Sequence, residues 1–301
     1  MIGISIRQLE VFVAIANSGS VRAAAARLSV TQPAISMALS ELERQVGAPV
    51  FDRIRGRLRL SMRGKELLPP AQEVVERMRE MLRRPDAHSH ELAGELRLGT
   101  SNTIGNYLVG ELLGAFVRRH PNVSLTVSVE NTRTTVAGVL EHRIDVGCVE
   151  GLVNHPEIDS LPWRDDDLQV CAAPNHPLVG RQRLRPADFA NANWVLREPG
   201  SALRMQSEAI MANLPPGRIL LELGQVEAIK QAVIAGMGIA CLPDAATRDA
   251  VAAGRLVVLQ TPFLALHRRL SLVLHKARYR GTLIEAFVHS LEPPFTIRNM
   301  P

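Results

Sequence analysis

The chain has 301 residues, a formal net charge of +5 at pH 7, 46% hydrophobic residues and 22% charged residues. This length suffices for several folded units, and the composition is that of a globular protein, which excludes a disordered or collagen-like chain. The N-terminus lacks the basic, apolar and small-residue segments of a signal peptide, and no apolar run is long enough to cross a membrane. We therefore expect a cytoplasmic protein.

The positive charge is concentrated in the first residues of the chain. Residues 1–64 contain nine arginines, no lysine and four acidic residues, so this segment carries the whole chain's excess of positive charge. The remaining residues are neutral overall. A local basic excess is what binding to a polyanion requires, which points to nucleic acid.

Three short helices are predicted at the N-terminus, in "IRQLEVFVAIANSGS", "SVRAAAARLSV" and "TQPAISMALSELERQVG". Thr31 is placed to cap the third helix, and Pro33 falls in its first turn. The apolar face of this helix consists of Ile35, Leu39, Leu42 and Val46. Its other face is small or uncharged, which suits a close approach to DNA. The pattern indicates a helix-turn-helix whose second helix enters the major groove, with an ordinary three-helix bundle as the alternative.

The next stretch, "FDRIRGRLRLS", alternates arginines with apolar residues around a central glycine. Such alternation predicts a two-stranded wing whose outer face carries arginines toward phosphates or the minor groove. A solvated basic hairpin is the alternative. The arginines are Arg53, Arg55, Arg57 and Arg59.

A long helix is predicted over residues 61–84. Its apolar stripe consists of Leu67, Leu68, Val74, Val75, Met78 and Leu82. A stripe of this kind on a helix rich in Glu and Arg is typical of a helix that pairs with a copy of itself. Pro69 and Pro70 require a kink or an early-turn position within it.

Strand and helix patterns alternate through the rest of the chain and then restart. The first set runs from "GELRLGT" to "IDVGCVEG", and the second from "LQVCAAP" to "RLVVLQ", with a last strand and helix in "RRLSLVLHKA" and "GTLIEAFVHSLE". This alternation predicts an α/β fold in two lobes with parallel sheets. Ligands of open α/β sheets bind beyond the carboxyl ends of the strands.

Those strand ends carry polar stretches, "GTSNT", "NTRTT", "VEG" and "REPGS", three of which open a helix. Helix N-termini offer free N–H groups and a positive dipole end, so we expect a small anionic or polar effector in a cleft between the lobes. Ser101, Thr103, Thr132 and Ser201 also fit a purely structural role as helix caps. Glu150 and Glu198 would select a cation, repel the wrong anion, or bond backbone N–H groups or an arginine.

An enzyme and a secreted solute-binding protein are the rival classes. Cys148, Cys171 and Cys241 form no CxxC pair, which argues against a zinc cluster or a redox pair. So few cysteines suit a reducing cytoplasm. No Gly-rich phosphate loop, GxSxG elbow or HExxH motif occurs, so we predict no metal, no resident cofactor and no catalytic residue. The basic N-terminal segment argues against a solute-binding protein without a DNA role.

The segment "AAARLSVTQPAISMALSELERQVGAPVFDR" resembles the winged helix-turn-helix of LysR-type transcriptional regulators. This resemblance implies a DNA-binding domain at 1–60, a dimerising linker helix at 61–90 and an effector domain at 91–301, with lobe I at 91–163 and 268–301 and lobe II at 164–267. It further implies a dimer, assembling into a tetramer, that binds an interrupted palindrome in double-stranded DNA and acts with RNA polymerase. The implied DNA contacts are Arg22, Thr31, Gln32, Pro33, Ser36, Met37, Ser40, Arg53 and Arg57. Met37 departs from the family, since many members carry a basic or long polar residue there.

The effector half resembles the branch of this family that contains the CysL and CbbR regulators, through "TSNTIGNYL", "DVGCVEG" and "REPGSALR". The expected effector contacts are Thr100, Ser101, Asn102, Thr103, Asn131, Thr132, Glu150, Gly151, Arg197, Glu198, Gly200, Ser201 and Arg204. Leu203 stands where that branch usually has a hydroxyl, which is expected to remove one hydroxyl from the cleft. A sulfur oxyanion, as for CysL, or a carboxylate metabolite is the expected effector.

Overall fold

The structure is a computed structural model that describes residues 3–54, 57–82 and 92–291. The other residues, and the side chains of Ile54 and Arg57, lie outside this description. The end of the predicted linker, the expected wing contacts of Arg57 and the last residues of the predicted lobe I fall there. None of the described helices is long and apolar enough to cross a membrane.

The N-terminal unit is a winged helix-turn-helix, which confirms the predicted fold class. It consists of α1 (Ile6–Ser18), α2 (Val21–Arg27), α3 (Gln32–Val46) and an antiparallel hairpin of β1 (Phe51–Ile54) and β2 (Arg57–Leu60). Each helix begins at a hydroxyl that accepts a backbone N–H of the first turn, from Ser5, Ser20 and Thr31. Gly47 ends α3 in the left-handed conformation (φ 78°), which glycine adopts without strain.

The linker helix, α4 (Met62–Leu82), contains Pro69 and Pro70 in its interior. The prolines therefore do not begin the helix. The predicted apolar stripe is divided: Leu68 and Val75 are buried in the core of the DNA-binding unit, whereas Val74 and Leu82 are exposed. Only part of the stripe is therefore available to a second copy of the chain, because α1 packs against α4.

The effector half contains two α/β lobes. Its elements are β3 (Gly94–Ser101), a π-helix (Ile104–Leu108), α5 (Val109–Arg119), β4 (Val123–Glu130), α6 (Thr132–Leu140), β5 (Val146–Glu150), β6 (Ile158–Ala172), a 3-10 turn (Pro186–Phe189), β7 (Asn193–Arg197), α7 (Ala202–Met211), β8 (Arg218–Leu223), α8 (Val226–Ile234), β9 (Ala240–Pro243), α9 (Asp244–Ala252), β10 (Val257–Val258), β11 (His267–His275) and α10 (Thr282–Leu291). Each lobe has its own apolar core.

The main sheet has the order β10-β6-β11-β5-β3-β4, and β9 also pairs with β6. The strands β3, β4 and β5 are parallel, whereas β11 runs antiparallel to both β5 and β6. The sheet is therefore mixed, and the expectation of parallel sheets holds only in part. The last strand returns to the sheet of lobe I, and β6 runs through both lobes.

The first half of β6 was missed by sequence reasoning, which placed a strand only from Leu168. Its signal is hidden by the acidic run Asp165–Asp167, which a half-buried strand rarely carries. In the structure each of these carboxylates faces His267, Arg268 or Arg269 on β11. Cross-strand ion pairs therefore replace the apolar alternation that predicts a strand.

A buried ion cluster joins lobe I to the linker helix. Asp145 is 3% exposed and lies between two arginines, with Oδ1 2.5 Å from Arg97 Nη2 and 2.6 Å from Arg278 Nη2. Arg278 Nη1 also donates to Gln72 Oε1 of α4 at 3.0 Å. Burial opposes the charge of Asp145, but the two guanidinium groups lower its pKa below the usual range.

Two further contacts complete this junction. Glu80 of α4 accepts hydrogen bonds from Tyr279 Oη at 2.9 Å and from the backbone N–H of Thr282 at 2.8 Å. Arg27 of the DNA-binding unit forms an ion pair with Glu95 of lobe I. The linker helix is thus bonded to the effector half of its own chain.

We expect Asp145→Asn to lower the free energy of unfolding by about 3–5 kcal/mol, because it leaves two buried guanidinium groups without a counter-charge. Chemical denaturation followed by circular dichroism measures this change. Asp159→Asn is the matched control, since its ion pair with Arg280 is partly exposed and worth at most about 1 kcal/mol. Equal effects of the two substitutions would contradict the role assigned to Asp145.

His142, whose ring lies 4.3 Å from that of His275, generates a pH dependence. Burial, with the nearby charge of His275, lowers the pKa of His142 to about 3. The unfolded chain takes up a proton near pH 6.5 and the folded chain does not, so stability is complete above about pH 6.5 and falls toward pH 3, by at most about 1.4 kcal/mol per pH unit. Melting temperatures at pH 7.5 and 5 should differ less in His142→Gln than in wild type. The exposed His289→Gln should retain the full difference.

Candidate functional site

Six of the predicted DNA contacts lie on one exposed face of the third helix. Its first turns and N-cap present Thr31, Gln32, Pro33, Ser36, Met37 and Ser40, all exposed. Met37 is the most apolar of them and is 73% exposed. The opposite face, through Ile35 and Leu42, is fully buried. The sequence pattern therefore identified a helix face that is unoccupied by the protein itself.

Three arginines in the described part of the N-terminal unit are exposed and unpaired. Arg22 on α2, Arg53 on β1 and Arg59 on β2 are exposed and form no ion pair with another described residue. Four other arginines of the N-terminal segment do have carboxylate partners: Arg7, Arg27, Arg44 and Arg63. The charge available to DNA is thus smaller than the sequence count indicates, and it is concentrated on α2 and the wing.

The inter-lobe cleft is centred on Glu150, the last residue of β5, which is 5% exposed. Thr132 Oγ1, in the first turn of α6, donates to Glu150 Oε2 at 3.1 Å. Burial opposes ionisation of this carboxyl, but the charge of Arg268 and the hydroxyl of Thr103 lower its pKa below the ordinary value. An internal carboxylate therefore already faces hydroxyls that sequence reasoning gave to an external anion.

Two buried serines belong to different lobes. Ser101, at the end of β3, is 1% exposed, and its hydroxyl helps to lower the pKa of the Glu150 carboxyl. Ser201, the N-cap residue of α7, is 3% exposed and makes no capping hydrogen bond. Neither hydroxyl performs the capping role that was the structural alternative.

Direct hydrogen bonds between the lobes close the cleft. On one side, Asn102 donates to Gln225 and accepts from the N–H of Val226, at the start of α8, at 3.0 Å. On the other side, Asn131 Nδ2 donates to Glu198 Oε1 at 3.1 Å, and the N–H of Arg133 donates to the carbonyl of Gly200, also at 3.1 Å. Asn102, Asn131 and Glu198 therefore hold the lobes together.

Gly200 has φ 101°, and a Cβ there would lie 3.3 Å from the Arg133 side chain, so glycine permits this approach. Gly151, after β5, also has a positive φ of 78°. Both glycines shape the rim of the cleft.

Other predicted contacts are used within a single lobe. The Thr100 hydroxyl donates to the carbonyl of Ser128 on β4, so this hydroxyl is already bonded within lobe I. Arg197 pairs with Glu198, and Arg204 pairs with Glu208 and Glu222 of lobe II. Leu203 is 1% exposed in the core of lobe II. The expectation that this residue removes a hydroxyl from the cleft is therefore wrong.

Sequence reasoning missed Arg268, on β11. Its side chain is 1% exposed and donates to Asp166 Oδ2 at 2.7 Å, Gln206 Oε1 at 3.1 Å and Thr103 Oγ1 at 3.3 Å. The chain offers no motif around Arg268, because only the return of β11 beside β6 brings it to the cleft.

An open groove leads to Glu150, Thr132 and Gln206 of this cluster. Its mouth is apolar, with Val136, Leu140, Leu152 and Met205, and its inner end is polar, with Thr132, Glu150 and Gln206. Leu152 and Met205 are 67% and 62% exposed. The groove offers a route for a small molecule from solvent to the buried carboxylate.

Catalytic and metal chemistry find little support in these side chains. Cys148, Cys171 and Cys241 are buried, and burial raises the pKa of each thiol to about 12. Cys171 and Cys241 face opposite sides of the sheet, since Cys171 pairs with Ala240 and Cys241 with Val170. Within residues 3–54, 57–82 and 92–291, no group of three or more acidic, His or Cys side chains is arranged to hold a metal ion.

Comparison with known proteins agrees with both halves of this geometry. Residues 6–65 match the family described as "Bacterial regulatory helix-turn-helix protein, lysR family", and residues 89–293 match the "LysR substrate binding domain". The chain belongs to the LysR family. It is a LysR-type transcriptional regulator with a DNA-binding and an effector-binding domain.

Relatives within the LysR family cover nearly the whole chain. The uncharacterized regulator YeiE of Escherichia coli is 35% identical over 291 residues, which is 96% of this chain and 98% of YeiE. CysL of Bacillus subtilis is 28% identical, over 88% of this chain and 89% of CysL, in agreement with the branch inferred from the effector half. The regulatory domain of CcmR from Synechocystis, solved in complex with 2-PG, is 26% identical with a TM-score of 0.61 and covers 66% of this chain and 95% of that structure.

We expect Ser36→Ala to weaken binding to the specific operator by about 1–3 kcal/mol, because a base-edge hydrogen bond is lost. Arg53→Ala should weaken binding to all sequences and reduce the salt slope by about one, because a phosphate contact is lost. Fluorescence anisotropy at several salt concentrations separates the two effects. Arg248→Ala, an exposed arginine of α9 in lobe II, is the control. Unchanged affinity in both test variants would contradict the assignment of this face.

Proposed function

We propose that this LysR regulator binds an interrupted palindrome in promoter DNA through α3 and the wing, and that a small anionic effector in the inter-lobe cleft changes its arrangement on DNA. The observation that carries the effector proposal is the buried Glu150, with Ser101 and Thr103 behind it and the half-buried Thr132 beside it, at the end of an open groove. The mechanism requires the effector to bind one arrangement better than the other, since equal affinity shifts no equilibrium.

The charges of the cluster narrow the effector class. Glu150 and Asp166 contribute two negative charges, Arg268 and the groove-lining Arg133 contribute two positive charges, and Arg197 pairs with Glu198. A dianion would add two more negative charges in a buried site, which is costly without counter-charges. An ionised Glu150 also favours a ligand that donates a hydrogen bond to it. We therefore propose a monoanion that carries a proton or hydroxyl, such as hydrogen sulfite or a hydroxycarboxylate, rather than sulfate.

The exposed outer half of α4 supports self-association. Val74, Met81 and Leu82 are 41–79% exposed and lie at i, i+7 and i+8, which places them on one face of this helix, and such a face is buried when two linker helices pair. We propose a dimer through α4 and a tetramer of two such dimers. Two DNA-binding units related by a two-fold axis then match an interrupted palindrome.

Binding rather than catalysis fits the side chains of the cleft. The three cysteine thiols are buried and have raised pKa values, so they are poor nucleophiles. The charged groups of the cleft form ion pairs with one another, so none of them is placed to activate a nucleophile. Contact with RNA polymerase and action in the cytoplasm follow from the proposed role at promoters. A solute-binding protein without a DNA role would not need the exposed face of α3.

A thermal-shift titration of the full-length protein tests the effector proposal. Hydrogen sulfite at pH 6.5 and glycolate should raise the melting temperature, whereas sulfate at equal ionic strength should not, because ligands stabilise the state they bind. Ser101→Ala and Ser201→Ala should abolish the rise and leave DNA affinity unchanged. Ser290→Ala, on the surface helix α10, should retain it. A rise that persists in both cleft variants would move the site elsewhere.

A further inference from the structure

Three ion pairs join strands β6 and β11 where these strands cross between the lobes. Arg269 pairs with Asp165 at 3.0 Å and His267 with Asp167 at 2.9 Å, and all four side chains are at least half exposed. The middle pair, Arg268 with Asp166, is buried, with side chains 1% and 6% exposed. Of these three ion pairs, only the middle one is shielded from solvent. Its charges therefore interact most strongly with neighbouring groups.

The guanidinium of Arg268 is hydrogen-bonded to both lobes and to the strand that crosses between them. Its Nε donates to Asp166 on the crossing strand, its Nη2 to Thr103 of lobe I, and its Nη1 to Gln206 of lobe II. The bond to Asp166 is 2.7 Å long, whereas those to Gln206 and Thr103 are 3.1 and 3.3 Å. The two terminal nitrogens, Nη1 and Nη2, thus form a pair of donors between the lobes, which we call the fork. Both donors bond to neutral oxygens, and these bonds are longer than the bond from Nε to Asp166.

Gln206 separates this fork from the groove. Its side chain lines the groove, and its Oε1 accepts from Arg268. A small molecule that enters the groove passes the exposed Arg133 and meets Gln206, Thr132 and Glu150 before it reaches the Arg268 guanidinium. A charged oxygen would replace the neutral Gln206 oxygen favourably, because hydrogen bonds between ionised partners are about twice as strong as neutral ones.

We propose that Arg268 is the effector-binding cation of this regulator and that it selects an anion with two oxygens able to take both terminal nitrogens. This assignment rests on the proposed anionic effector. The anion replaces Gln206 and Thr103 on the fork, while Nε stays on Asp166, so ligand binding acts directly on the strands that connect the lobes. Asp166 is the positioning residue that aims the fork.

The geometry also predicts selectivity by shape. A guanidinium binds a planar or pyramidal oxyanion through two parallel N–H···O hydrogen bonds. A lysine ammonium is a point charge, which does not distinguish an anion with two oxygens from a spherical anion. Wild type should therefore prefer glycolate and hydrogen sulfite to chloride. Arg268→Lys keeps the charge and should lose that preference.

Isothermal titration calorimetry of the full-length protein with glycolate and with hydrogen sulfite, against chloride as the spherical reference, tests the assignment. Arg268→Lys should weaken binding of the oxyanion at least tenfold and bring it close to that of chloride. Arg269→Lys is the matched control on the same strand and should bind as wild type does. Gln206→Ala leaves Asp166 on Nε and removes the neutral oxygen that the anion must displace from Nη1, so it should bind the oxyanion more tightly; it also serves if Arg268→Lys fails to fold.

The outcomes separate this inference from the proposed function. If neither oxyanion binds the wild type, the anionic effector is wrong and the role of Arg268 falls with it. If the wild type binds an oxyanion and Arg268→Lys binds it equally well, or Gln206→Ala binds it no more tightly, only the assignment of Arg268 is overturned. Loss of selectivity in Arg268→Lys alone, with Arg269→Lys unchanged, supports it.

Discussion

The effector half depends on β6, one strand that belongs to two lobes. Because β6 pairs with β11 in lobe I and with β9 and β10 in lobe II, neither lobe is free to move without bending a strand that both share. The acidic run Asp165–Asp167 lies at this crossing and is neutralised from β11. Burial of the middle pair places a fixed cation beside the cleft, and that cation in turn keeps Glu150 ionised. The chemistry of the cleft thus follows from a constraint on strand pairing.

The same logic of buried charge operates at the other end of lobe I. Asp145 neutralises Arg97 and Arg278, and Arg278 reaches Gln72 on the linker helix. Gln72 lies one residue from Ala71, which is packed in the core of the DNA-binding unit. A few residues of α4 therefore contact both functional halves of the chain. Polar contacts of this kind demand specific geometry, because an unmatched buried charge is far more costly than an imperfect apolar contact.

Sequence reasoning succeeded where local chemistry decides structure. The cap at Thr31, the apolar side of α3 through Ile35 and Leu42, and the hairpin of the wing each report on neighbours within a few residues, and these predictions are confirmed. The arginines of the wing do not share one face, because Arg53 pairs with Leu58 and Arg59 with Asp52 on opposite faces of the hairpin. Sequence reasoning failed where pairing between distant segments decides. The first half of β6 and the role of Arg268 depend on residues about one hundred positions away, as with Asp166 and Arg268. Thr100 was placed in the cleft because strand ends point there, but alternation along β3 turns its side chain into the sheet.

The linker helix also has a mechanical consequence. With 21 residues, α4 is a rod of about 30 Å, held near one end by Glu80 and near its middle by Gln72. A tilt of about 6° moves the far end of such a rod by about 3 Å, close to the rise of one base pair. In the dimer proposed above, a lever of this length converts an ångström-scale repacking beside lobe I into a change of register along the double helix. The half-site spacing of the proposed palindrome is then set by the angle at which each rod leaves its own effector domain.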